Sequence, residues 1–111
     1  MRYACLIYVP PTDNAPAGML EEYAALSSDA QKAGVMTGGE QLARPSSATT
    51  VRVRDGKRLL TDGPFAETKE VLGGFMIFDC DTLDAAVEWA AKIPNARDGS
   101  IEIRPIVERG A

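Results

Sequence analysis

The chain contains no histidine. That absence removes Ser-His-Asp and Cys-His catalysis, and every metal site that uses an imidazole. Proton transfer is left to carboxylates, Lys, Tyr and Cys. Cysteine is scarce: Cys5 and Cys80 are the two, both within apolar strand-like runs and without CxxC or other metal-ligand spacing. They read as buried, reduced thiols suited to a reducing compartment. No apolar run approaches the roughly 18 residues of a membrane span. The first such run, residues 4–9, is too short for a secretory leader and is stopped by Pro10-Pro11. A cytoplasmic protein is expected. Basic excess is missing as well. Net charge is −4, with acids and bases interspersed, so neither nucleic acid nor membrane is an expected partner. The cluster Arg52, Arg54, Lys57 and Arg58 is interrupted by Asp55 and flanked by Asp62, and reads as a solvated hairpin tip.

What is present fits one domain spanning the 111 residues. Residues 3–9 are β-branched and aromatic without glycine, a strand with apolar side chains on both faces. A turn-rich connection, 12–18, leads to a helix over 17–33, with Met19, Tyr23, Leu26, Ala30 and Ala33 as its stripe and Gly34 as its stop. Residues 35–37 form a short extended piece before a turn at Gly38-Gly39. Residues 48–54 alternate, which puts Val51 and Val53 inward, and Asp55-Gly56 signals a two-residue hairpin into 58–61. Residues 72–79 are a further strand, apolar on both faces. Thr82 caps a second helix that runs to about Lys92, with Leu83, Ala86, Val87, Ala90 and Ile93 on its buried face. Trp89 lies off the centre of that stripe, where plain packing competes with a pocket wall. Pro94 ends the helix, and 100–107 is a last alternating strand.

The order strand, helix, strand, strand, helix, strand, with an added hairpin arm, is the α+β split βαβ or ferredoxin-like pattern. In it the first and third core strands are central, and these are the two with apolar residues front and back. Two helices cover one face of such a sheet. Each large side chain left on the other face would forgo about 1.5–3 kcal/mol of burial. A second copy packed sheet to sheet, a dimeric α/β barrel, is the simplest cover.

The segment Asp62-Gly63-Pro64-Phe65-Ala66-Glu67-Thr68-Lys69-Glu70 carries the densest chemistry. Asp-Gly-Pro forces a turn, because Asp bonds its downstream backbone, Gly accepts positive φ and Pro fixes its own. One reading is a small cleft lined by Asp62, Glu67 and Lys69, with Phe65 as an apolar plug and Glu70 adjacent. The other is an Asx-turn with solvated charges on a surface loop, where ion pairs contribute roughly 0–1 kcal/mol. Arg104 either clamps a substrate carboxylate or pairs with Glu102 or Glu40 at a sheet edge.

Gly38-Gly39-Glu40, the run from Ala48 to Arg52, the segment Thr61 to Glu70, Leu72-Gly73-Gly74, residues 86–93 and the run from Gly99 to Pro105 together resemble the DGPF proteins of the YCII-related superfamily. The resemblance covers nearly the whole chain and implies a dimeric barrel of ferredoxin-like protomers. It implies no established activity, and no cofactor is expected. It also implies a regulatory or stress-linked setting beside extracytoplasmic-function sigma factors. Other branches carry a His-Asp pair proposed as catalytic, and some are associated with lyase-type chemistry; a chain without histidine cannot supply that pair. Two functions stand. One is a dimeric module binding a small apolar or anionic ligand, or serving regulation. The other is a histidine-free acid/base enzyme, of lyase or isomerase type, acting on a small organic acid or aromatic. In that case Asp62 or Glu67 would hold its proton near neutrality.

Overall fold

The computed structural model describes residues 1–11, 17–66 and 68–109. Its elements are β1 (Arg2–Val9), α1 (Met19–Lys32), β2 (Met36–Gln41), β3 (Thr49–Arg54), β4 (Lys57–Asp62), β5 (Val71–Asp79), α2 (Leu83–Ala90) and β6 (Ser100–Pro105). Four strands form an antiparallel sheet in the order β2-β5-β1-β6, and β3 and β4 form a separate two-stranded ribbon. The architecture is α+β, and this order with two crossover helices is compatible with the split βαβ arrangement. Residues 12–16, most of the expected turn-rich connection, lie outside the described residues.

β1 and β5 are central, as expected. Tyr3, Cys5 and Ile7 on β1, with Met76 and Phe78 on β5, are buried against the helices. Their alternates, Ala4, Leu6, Tyr8, Phe75 and Ile77, are only half-buried on the far face. Cross-strand partners share a face, so the pairing places Glu40 beside Phe75 at one edge and Glu102 beside Leu6 at the other. The far face is therefore an apolar strip between two charged rims.

The second core strand differs from expectation. The chain does not turn at Gly38-Gly39; both glycines lie within β2, paired across to Ile77 and Met76. Their lack of side chains had suggested a turn, whereas the flat edge of a sheet accommodates them equally well. The alternating run of Thr49–Arg54 belongs instead to the arm. Val51 and Val53 are not inward: they are 58% and 62% exposed, because β3 has only β4 beside it and no layer beneath. The turn at its tip is as expected, with Asp55 and Gly56 both at positive φ (52° and 73°).

The arm makes the molecule broad and thin, 46 × 44 × 18 Å. Its Cα radius of gyration is 15.9 Å, against about 13 Å for a compact chain of this length.

α1 ends in a Schellman closure, Val35 N–H donating to the Ala30 carbonyl and Gly34 N–H to that of Gln31, with Gly34 at φ 74°. α2 opens with the Thr82 hydroxyl oxygen accepting from Ala85 N–H at 3.1 Å. Its buried face is rotated from expectation. Leu83 and Val87 are about half exposed, while Ala86, Ala90 and Ile93 are buried. Trp89 packs on Phe78 with ring centroids 5.9 Å apart, and the Lys92 ammonium lies over its ring. The small alanines let the helix lie close to the sheet, with the indole packed to one side of them on Phe78.

Candidate functional site

The sheet ends in a cavity where β1 leaves the core. Its walls come from Val9 and Pro10, the first turns of α1, the chain just after β2, the segment after the arm, and the loop before β6. Its volume is about 870 Å³, within the range of small-molecule sites.

The base of the arm sets one wall. Gly63 N–H donates to the Ala48 carbonyl at 2.7 Å, and the Thr50 hydroxyl donates to the Gly63 carbonyl at 2.9 Å. Gly63 sits at φ 93°, which the turn after β4 requires. These contacts direct Pro64, Ala66 and Thr68 along the cavity. Leu42 N–H, donating to the Gly73 carbonyl at 2.9 Å, holds the facing stretch against β5.

The polar floor is a chain of three side chains. The Tyr23 hydroxyl donates to Asn95 Oδ1 at 2.6 Å, and Asn95 Nδ2 donates to Asp98 Oδ1 at 2.9 Å. Asn95 is buried, 9% exposed, in a short 3-10 turn begun by Pro94. Burial raises the Tyr23 pKa, which keeps its phenol protonated. The loop is pinned further by Gly99, whose N–H donates to the Asn95 carbonyl at 2.8 Å. A Cβ on Gly99 would meet the Tyr8 carbonyl oxygen at 2.0 Å, so only glycine lets β6 begin there.

Of the residues singled out from sequence, Lys69 and Glu70 share one groove, whereas Asp62, Phe65 and Arg104 line neither it nor the cavity. Asp62 is exposed in the arm's ladder, paired with Thr49. Phe65 is 77% exposed and plugs nothing within the single chain. Glu67 lies outside the described residues. Lys69 and Glu70 line a separate, open groove of about 580 Å³ with Tyr8 and Glu102, on the far face of the sheet. Arg104 lies 3.8 Å from Glu102 on its own strand, the pairing expected of an edge cation. Thr68 borders both cavity and groove, so the segment separates two hollows.

Sequence reasoning placed Tyr23 in a packing stripe and did not single out Asn95 or Asp98. A signal was available: a tyrosine in an otherwise aliphatic stripe must find a partner for its hydroxyl once buried. Among the described residues, no group of three or more His, Cys, Asp or Glu side chains could hold a metal ion. No helix among them is long and apolar enough to cross a membrane.

The family model for the YCII-related domain matches residues 1–109, and the chain belongs to that family. It is also 37% identical over 90 residues to an uncharacterised protein of Rhizobium meliloti (strain 1021), an alignment covering 79% of this chain and 73% of the relative.

Proposed function

We propose that this YCII-related protein is a homodimeric module that binds a small organic ligand in the cavity at the end of its sheet. The observation that carries the reading is the cavity itself: about 870 Å³, with apolar walls and a floor fixed by the Tyr23–Asn95–Asp98 chain. Apolar walls with a few positioned polar groups are what small-molecule recognition uses. The half-buried strip of Leu6, Tyr8, Phe75 and Ile77 supports the second copy, since sheet-to-sheet packing would close it into a dimeric barrel. The regulatory setting beside a sigma factor belongs to this reading as the use to which ligand occupancy would be put.

The enzyme reading gains less from the geometry. An acid/base enzyme wants a desolvated carboxylate in its cleft, and the lining carboxylates of Glu40 and Asp98 are both exposed.

A thermal-shift screen of small organic acids, amines and aromatics against the full chain tests the proposal, because a ligand of the native state raises its midpoint. Hits whose effect is abolished by Ala66→Trp, which fills the cavity wall, support it. A screen without hits, or hits indifferent to that substitution, contradicts it.

A further inference from the structure

The three floor residues do more than pin a loop, because the direction of their hydrogen bonds is forced. An ionised carboxylate offers acceptors only. The Asn95 atom that meets Asp98 must therefore be its amide nitrogen, 2.9 Å away. The amide oxygen then faces Tyr23, and the phenol has no choice but to donate, at 2.6 Å. The donors that point along the chain are thus consumed inside the protein, and the second N–H of Asn95 is the one polar hydrogen of the three groups left over. The phenol hydrogen goes to Asn95, and one Asn95 N–H goes to Asp98. Left over besides that second N–H are acceptors: the lone pairs of the Tyr23 oxygen and the second carboxylate oxygen of Asp98.

The remaining charges on the wall point the same way. Asp98 contributes a carboxylate, and Glu40 another at the cavity's rim toward the far face of the sheet, against the guanidinium of Arg44, which is itself partnered. An anion entering this cavity would set its oxygens against lone pairs that cannot turn around. For the Tyr23 phenol to offer its hydrogen to a ligand, Asn95 would have to flip, placing its oxygen against the Asp98 carboxylate. Burial of Asn95 makes that repulsion costly, because little water is at hand to screen it.

We propose that the cavity recognises its ligand through a hydrogen-bond-donating head, an ammonium or a similar N–H group on a small apolar body, and discriminates against carboxylates and phosphates. The inference rests on the ligand-binding reading above and adds the chemical class of the ligand. In the complex the head lies between the Tyr23 oxygen and Asp98, and the apolar body lies against Val9, Met19 and Leu72.

Benzylamine and benzoate make a matched pair of probes, similar in body and opposite in head. Each is titrated into the ¹⁵N-labelled full chain while the side-chain amide of Asn95 and the backbone amides of Asp98 and Gly74 are followed. Benzylamine is expected to shift these signals saturably in the millimolar range common for a fragment, with benzoate about tenfold weaker or silent. Asp98→Asn, which keeps an acceptor for Asn95, is expected to weaken benzylamine about tenfold by removing a charge-assisted bond. Benzoate binding as tightly as benzylamine overturns this inference and leaves the ligand-binding reading standing, as does an Asp98→Asn chain that binds benzylamine unchanged. Failure of both probes to move the cavity signals counts against both.

Discussion

The phenol of Tyr23 and the amide of Asn95 meet at 2.6 Å although 72 positions separate them in the chain. The bond ties α1 to the loop before β6, a junction that the Arg97–Glu22 ion pair also bridges. Tyr23→Phe removes the donor and leaves the Asn95 oxygen in a buried place. Such a loss costs about 1–3 kcal/mol. A urea midpoint lowered accordingly, with an unchanged denaturant slope, is the expected result. An unchanged midpoint would mean that the contact adds nothing to the fold.

Gly99 is the point of closest backbone approach, where a Cβ would fall 2.0 Å from the Tyr8 carbonyl oxygen and 3.2 Å from that of Asn95. Backbone atoms cannot step aside as a flexible side chain can. Gly99→Ala is expected to destabilise the chain by about 2 kcal/mol or more, and to weaken hydrogen-exchange protection at the start of the β1–β6 ladder. Retention of both stability and protection would contradict the close approach.

Burial pushes the Cys5 thiol from its ordinary 9.0 up to about 11, with the neighbouring Cys80 thiolate adding to the effect. The raised value favours the neutral thiol in the folded chain. Its contribution is fully present below pH 9.0 and is lost as pH climbs from there to about 11. The loss attributable to Cys5 is up to about 3 kcal/mol. Denaturation curves at stepped alkaline pH should therefore fall more steeply for the native sequence than for Cys5→Ala. Equal slopes in the two proteins would show that the thiol is not shielded.

Much of the fold was legible because burial on both faces leaves a plain mark. Cys5, Leu6, Ile7 and Tyr8 are apolar without a gap, as are Phe75 to Phe78, and both runs proved central. Thr82 and Asp55-Gly56 were equally clear, since caps and tight turns are set by their own residues. β2 was not legible. Its sequence, Met-Thr-Gly-Gly-Glu-Gln, is a strand only because β5 offers it an edge. Val51 and Val53 misled for the converse reason: alternation marks a strand with a preferred face, and the single chain places nothing against that face. The cavity floor was hidden by distance. Tyr23 and Asn95 belong to one site only after the sheet has brought α1 beside the last loop, and no local spacing announces this. The Asp62 segment was visible as a turn, but which of its residues face the cavity and which the groove depends on the arm's placement.

Central to the account is the far face of the sheet, where Leu6, Phe75 and Ile77 are half-buried between charged rims and where the proposed second copy would pack. Sedimentation equilibrium at micromolar concentration measures this most directly. The predicted mass is twice 11.9 kDa for the native chain, falling to the single-chain value for Ile77→Asp. A native chain that sediments at 11.9 kDa across the concentration range would contradict the account.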